Sequence, residues 1–391
     1  MSIDVARARA ETPGCRNRIH FNNCGAALMP QPVIDAVKNH LELEAAIGGY
    51  EAADRAVDEI RAVYASIARL LNCSPDEVAI VENATRGWDM AFYAMHFEPG
   101  DRILTATAEY ASNYIPFLQV ARKRSAVVEV VPNDESGQLC VEQLQRMIDE
   151  RVKLIAVTHV PTNGGLVNPA AQIGAVARQH GIPFLLDACQ SVGQLPLDVQ
   201  AMGIDILSAT SRKFLRGPRG AGFLYVRKAW IERLEPPFLD LHAADWTAPD
   251  RYEIRQDARR FENWECNVAA KIGLGNAVDY ALSWGVEAIH TRVNELAEHL
   301  RERLHAIRGI RVRDQGVQRC GIVSFSAANR EPIAIVQALR TRGINTSVSD
   351  APSTRLDMEA RGLSAVVRAG IHYYNTEEEI ARFSEALETL L

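Results

Sequence analysis

The sequence contains no CxxC pair, no HExxH and no run of 18 apolar residues. Its seven cysteines stand singly at 15, 24, 73, 140, 189, 266 and 320. That spacing fits no common zinc ligand pattern, so no metal site is expected. Scattered thiols in odd number suit a reducing compartment better than a disulfide framework. The opening MSIDVARARAETPG has no apolar core and does not read as a secretory signal. A cytoplasmic protein with no membrane span is the expectation. Basic charge is also short, with 43 Lys and Arg against 49 Asp and Glu for a net −6. The arginine cluster Arg251, Arg255, Arg259 and Arg260 is interleaved with Glu253 and Asp257. It reads as a solvated or ion-paired face, and no nucleic-acid partner is expected. There is no repeat period and no low-complexity stretch.

What remains is a chain of 391 residues, 47% hydrophobic and 24% charged, which is globular composition with room for two domains. Short apolar runs alternate with helical patterns between residues 78 and 226. The runs are 78–81, 102–106, 126–131, 154–158, 183–187, 205–208 and 222–226. The periodic stretch 168–180 opens on Asn-Pro and ends at Gly181, the usual helix punctuation. Strand and helix in alternation predict a mostly parallel α/β sheet. Residues 236–265, rich in Pro, aromatics and charge, read as a long irregular connection. Helices at 268–284 and about 291–307 follow, then strand 321–326, helix 332–342, strand 365–371 and helix 376–391. The division is an amino-terminal arm (1–20), a large α/β domain (21–265) and a small C-terminal α+β domain (266–391) that includes the linking helix.

The chemistry concentrates in FLLDACQSVGQLPLDVQAMGIDILSATSRKFLRGPRGAGFLYV, residues 184–226. Asp187 ends one apolar strand, and ligands of open α/β sheets sit at strand carboxyl ends. Lys213 follows a second strand and the hydroxyls of Ser208, Thr210 and Ser211, and a glycine-rich stretch follows Lys213. Taken singly, Asp187 is a strand-end acid and Lys213 a surface lysine. Together and in this order they are what pyridoxal phosphate needs: an amine for the Schiff base and a carboxylate for the pyridinium nitrogen.

This segment resembles the aminotransferase class V family of fold-type I pyridoxal-phosphate enzymes. The group spans cysteine desulfurases, selenocysteine lyases, C–S lyases and isopenicillin-N-epimerase-like proteins. The resemblance runs from FNNCGAALMP at 21 to VVRAGIHYYNTEEEI at 366. It implies Lys213 as the Schiff-base lysine, Asp187 as partner of the ring nitrogen and Gln190 as partner of the phenolic oxygen. In ENATRGW, the Ala84 backbone and Thr85 would cradle the phosphate at a helix N-terminus. Thr210 would add a second hydroxyl, and Arg212 stands where the family usually has histidine. The plainer alternative for Thr85 and Thr210 is a simple helix cap. Tyr110 in AEYASNYIPF is the available aromatic for the ring face, with Ala111 at that place if the register slips by one. For the substrate, the resemblance offers Arg368 to the carboxylate, since a guanidinium binds carboxylates bidentately. Asn163 is the candidate in THVPTNGG, although the commoner pattern has its asparagine at position 162. Asn23 in FNNCGAAL completes the set.

Two departures shape the expected activity. Trp264 and Glu265 stand where relatives carry a Gly-Thr that reaches the neighbouring subunit's phosphate. The stretch 343–362, where desulfurases hold a nucleophilic cysteine, contains none. Persulfide chemistry needs a thiolate. The expectation is therefore a C–S lyase that performs β-elimination on cysteine, cystine or a cysteine S-conjugate, giving pyruvate, ammonia and a sulfur product. An epimerase, racemase or aminotransferase of the same family is the alternative. A homodimer acting on a small amino acid is implied.

Overall fold

A computed structural model describes residues 3–391, so the first two residues of the expected arm lie outside the described residues. Seven strands form the main sheet: β1 (Val78–Val81), β2 (Arg102–Ala106), β3 (Val127–Val131), β4 (Val152–Thr158), β5 (Phe184–Asp187), β6 (Ile206–Thr210) and β7 (Gly222–Val226). Their order is β1-β7-β6-β5-β4-β2-β3. All neighbours are parallel except those of β7, which runs antiparallel to β1 and β6. Every residue of β5, β6 and β7 is buried, so these strands are mostly apolar, with Asp187, Ser208 and Thr210 as the polar exceptions.

Helices cover both faces. They are α1 (Gln31–Ile47), α2 (Val57–Leu71), α3 (Ala84–Tyr93), α4 (Ala111–Arg124), α5 (Ala170–His180) and α6 (Val268–Trp284). One face holds an aromatic cluster of Trp88, Phe92 and Phe117 from α3 and α4. The other is filled by Ile67 of α2, Ile173 of α5 and Leu274 and Val278 of α6. Helix α6, grouped from the sequence with the C-terminal domain, thus buries its side chains in the core of the large sheet. Its mean composition is apolar all round, as a helix enclosed on several sides requires.

The C-terminal part is a four-stranded antiparallel sheet in the order 310–312, 322–327, 365–370, 347–350. Its core includes Leu296 and Leu300 of α7 (Val286–Ala306), with Phe325, Val367 and Phe383. Ile19 and Phe21 belong to this core, and Ile19–His20 pairs in parallel with Ile344–Asn345. The end of the arm and the residues just after it therefore fasten to the small domain.

The connection at 236–265 is more ordered than its composition suggests. Ala244–Ala248 and Arg251–Ile254 form an antiparallel hairpin closed by Pro249 and Asp250. Nearly all its residues are exposed, so no buried face imposes the alternation by which strands are read. The stretch 343–362 is likewise structured, as strand Ser347–Asp350 and helix Arg355–Ala360.

Candidate active site

The carboxyl ends of β1, β2, β4, β5 and β6 share one edge of the sheet. A cavity of about 350 Å³ opens there, lined by residues that follow each of these strands. It brings together Ala84 and Thr85 after β1, Tyr110 after β2, Asp187 and Gln190 at β5, and Arg212 and Lys213 after β6. A larger open cleft of about 600 Å³ lies at the opposite edge, near Lys153, His180 and Trp230. None of its lining residues carries a buried polar atom without a partner, whereas the first cavity has two, Ser208 Oγ and Gln190 Oε1.

Local structure explains each placement. Asn83 caps α3, its Oδ1 accepting from Arg86 N at 2.9 Å. The first amides of the helix, those of Ala84 and Thr85, stay open toward the cavity, where the helix dipole favours an anion. Gly222 lets this helix end come close to the sheet. A Cβ there would meet Ala209 O at 2.6 Å and Ala84 N at 3.1 Å. Thr210 Oγ1 accepts from Arg212 Nη1 at 2.8 Å, so the arginine at the histidine position is tied back to β6. The loop after Lys213 is pinned by Arg216, a non-glycine residue at φ 61°. Arg216 donates to Leu28 O at 2.9 Å and to Tyr373 Oη at 2.6 Å and lies over the Tyr374 ring.

Asp187 is buried and fixed at both oxygens. Asn113 Nδ2 donates to Oδ2 at 2.9 Å and Cys189 N to Oδ1 at 2.9 Å. Burial holds the Lys213 ammonium below the ordinary lysine value, with the neighbouring Arg212 acting the same way. A neutral amine is what a nucleophile or base at that point requires. Gln190 Nε2 donates to Cys24 O at 3.1 Å, leaving its Oε1 unpartnered.

The substrate-side candidates divide. Arg368 is buried and forms no ion pair among the described residues, so no helix acid holds it. Its Nη1 donates to Thr162 O at 2.6 Å and to the Thr162 hydroxyl, and its Nε reaches Ser347 Oγ at 3.2 Å. Thr162 lines the cavity; Asn163 does not. Asn163 Nδ2 instead donates to Asp357 Oδ2 at 2.6 Å. Asn23 is also occupied elsewhere. Its Nδ2 donates to Gly370 O at 2.7 Å and to His20 O at 3.1 Å, and its Oδ1 accepts from Tyr374. Both asparagines are buried, where an amide must satisfy its own hydrogen bonds, and here the nearest partners are protein atoms.

Sequence reasoning missed four residues. Ser208 was noted only as one of several hydroxyls before Lys213. Cys189, Asn113 and Arg219 also line the cavity. Asn113 had a usable signal, since a polar residue in the first turn of a helix that follows a strand's carboxyl end lies at the ligand edge of such a sheet.

The residues fit pyridoxal phosphate: the helix start at Ala84 and Thr85 with Arg212 for a phosphate, an oriented carboxylate for the ring nitrogen, and two unpartnered polar atoms on the wall; Thr210, expected from the sequence, is not among the lining residues and reaches the cavity only through Arg212. The aminotransferase class-V family profile matches residues 19–383. A probable cysteine desulfurase of Methanothermobacter thermautotrophicus is 29% identical over 98% of this chain and 97% of its own. The apo structure of a cysteine desulfurase from Thermococcus onnurineus superposes with TM-score 0.92 at 24% identity, covering 100% of this chain and 98% of that one. The cystine C–S lyase C-DES, solved with its product cysteine persulfide, superposes with TM-score 0.87 at 23% identity over 96% of this chain and 99% of that one. The chain belongs to the aminotransferase class-V family, with the fold of fold-type I pyridoxal-phosphate enzymes. Pyridoxal phosphate is its cofactor.

Proposed function

We propose that the protein cleaves the C–S bond of cysteine, cystine or a cysteine S-conjugate by β-elimination, as a lyase and not as a desulfurase. Relatives named cysteine desulfurases and the fold neighbour C-DES support action at C–S bonds. The observation that carries the choice is the state of the thiols. Cys189 alone among the described cysteines lines the cavity. Burial pushes its thiol far above the ordinary cysteine value, and Asp187 pushes it further. It stays protonated and is a poor persulfide acceptor. The stretch 343–362 carries no other thiol and is held in place, with Asp357 accepting from Asn163 and from Arg361 Nη1 at 3.0 Å.

In this reading Ala84, Thr85 and Arg212, the last tied to Thr210, hold the phosphate, Tyr110 covers the ring, and Gln190 faces its oxygen. When bound, pyridoxal phosphate supplies a carbonyl for the substrate amine and a ring that accepts electrons from Cα. Asp187 keeps the proton on the ring nitrogen. Arg368 orients the substrate carboxylate. Lys213 Nζ, its proton affinity lowered by burial, takes the α-proton and returns it to the departing sulfur. The C–S electron pair leaves with sulfur, and the enamine left from the substrate hydrolyses to pyruvate and ammonia. The test is to incubate the holoenzyme with cysteine, cystine and an S-conjugate and measure pyruvate; no pyruvate from any of them overturns the reading.

A further inference from the structure

Behind Asp187 lies a second buried carboxylate that the mechanism above does not use. Glu109 sits just ahead of α4 and is 4% exposed. Its Oε2 accepts from Thr105 Oγ1 at 3.1 Å and from Thr158 N at 2.9 Å. Its Oε1 accepts from Tyr110 N at 2.9 Å, from Asn113 Nδ2 at 2.8 Å and from the Thr158 hydroxyl. Each of these partners donates. Three of them, Thr158 N, Tyr110 N and Asn113 Nδ2, can only donate, and only the Thr105 and Thr158 hydroxyls can turn to accept a proton, so the network favours the anion. Yet no lysine or arginine pairs with Glu109 among the described residues. An unpaired buried carboxylate is costly, and such groups concentrate at functional sites.

The connection to the site runs through one amide. Asn113 Nδ2 has two protons; it lies 2.8 Å from Glu109 Oε1 and 2.9 Å from Asp187 Oδ2. With both protons committed, the side chain cannot turn without releasing one carboxylate. We infer that Glu109 is a positioning residue for the cofactor: as an anion it locks Asn113, which orients Asp187 toward the ring nitrogen, and it fixes the backbone of Tyr110, whose side chain lines the same cavity. The inference rests on the reading of this cavity as the pyridoxal-phosphate site.

The pH behaviour of Glu109 supports the geometry. Burial raises its carboxyl to about 7, against the pull of hydrogen bonds from Thr158 and Asn113, and Asp187 adds to the rise. Asp187 is the charged group that faces it; beyond Asp187 stand Cys189 and Lys213. Protonating Glu109 near neutrality should therefore loosen Asn113 and weaken the hold on the cofactor.

The experiment measures equilibrium binding of pyridoxal phosphate to the purified apoprotein across pH values on both sides of about 7. Wild type is compared with Glu109→Gln, whose uncharged side chain mimics the protonated state. The ratio of affinities, wild type over variant, divides out the titration of the cofactor itself. It should be about fivefold or more at the alkaline end and fall toward one at the acid end, the size of a typical coupling between sites. A ratio that is constant with pH, or one throughout, overturns the proposal, because a merely structural carboxylate would not titrate the affinity. Should Glu109→Gln not fold, Thr105→Val decides. It removes one donor to Glu109 outside the cavity, so the pH at which wild-type affinity breaks should move upward; an unmoved break overturns the proposal. Wild type that binds no pyridoxal phosphate at any pH would instead bring down the reading of the cavity, and the proposal with it.

Discussion

Arg368 Nη1 donates to the carbonyl of Thr162 at 2.6 Å, joining the small sheet to a wall of the cavity. The guanidinium meets only neutral acceptors, Thr162 and Ser347. A substrate carboxylate would be its first anionic partner. Arg368→Ala should raise KM about 30-fold or more for any amino-acid substrate, the cost of removing one partner of a buried charged pair. Cofactor binding should survive, since Arg368 is not among the residues lining the cofactor cavity. Unchanged KM would mean that another residue holds the carboxylate.

Lys213→Ala should abolish the visible absorption of the lysine-bound cofactor and nearly all turnover. Burial lowers the amine's hold on its proton, and none of the other residues lining the cavity is a lysine. Absorption spectra and single-turnover assays on the purified variant check this. Full activity would displace the site.

How far the sequence led can be judged on particular elements. Strands β1, β2 and β7 begin and end where the expected runs 78–81, 102–106 and 222–226 do, because each is largely enclosed and mostly apolar. Asp187, Lys213, Ala84 and Thr85 were singled out because strand ends and a helix start carry chemistry at fixed places, and the structure gathers all four around one cavity. Asn163 and Asn23 misled because polarity and motif position say nothing about direction: one residue along, Thr162 faces the cavity while Asn163 turns to Asp357. The Glu109–Asn113–Asp187 chain was invisible because Asp187 comes from a strand 74 residues beyond Asn113, and only the sheet order brings them together.

Glu262 anchors the aromatic connection to the large domain. It accepts from Tyr64 Oη at 2.9 Å, Ile80 N at 2.7 Å and Lys271 Nζ at 3.3 Å, with His242 Nε2 at 3.2 Å. Burial alone would raise its carboxyl, but His242, Lys271 and the other donors outweigh burial and hold it below the usual value. Its stabilisation is therefore present above the unfolded glutamate value and lost as pH falls through the lower folded one. Glu262→Gln should cost about 3 kcal/mol near neutral pH, because it leaves Lys271 buried without a counter-charge. Thermal melts of both proteins should converge as the pH is lowered into the acid range. A constant gap would mean that Glu262 acts through packing alone.

The hairpin connection leaves large apolar side chains in solvent. Trp246 is 80% exposed, Leu241 69%, Phe238 57% and Trp264 52%. Apolar exposure on this scale marks an interaction surface, and a second copy of the chain is the expected partner. Solution scattering at micromolar concentration should give a dimer, and Trp246→Asp should shift it toward monomer. A monomeric wild type would count against it.

Burial pushes the Cys189 thiol far above its ordinary value, and the stretch 343–362 has no cysteine, so neither offers sulfur a ready acceptor. It should leave bound to its own substituent, or from cystine as a small-molecule persulfide. Pyruvate and ammonia should then appear in equal amounts, because both come from one enamine. A desulfurase would give alanine and an enzyme-bound persulfide instead. An aminotransferase would need a keto-acid acceptor and release no ammonia, and an epimerase would keep carbon and sulfur joined. One assay on a cysteine S-conjugate that scores pyruvate, alanine and the D-isomer separates the four. Alanine as the main product would sink the lyase reading. The D-isomer or a transaminated product without pyruvate would put the epimerase or aminotransferase in its place. Cys189→Ser adds an internal check. A lyase should keep its pyruvate yield in this variant, since the thiol takes no sulfur, whereas a desulfurase using Cys189 would lose its persulfide entirely.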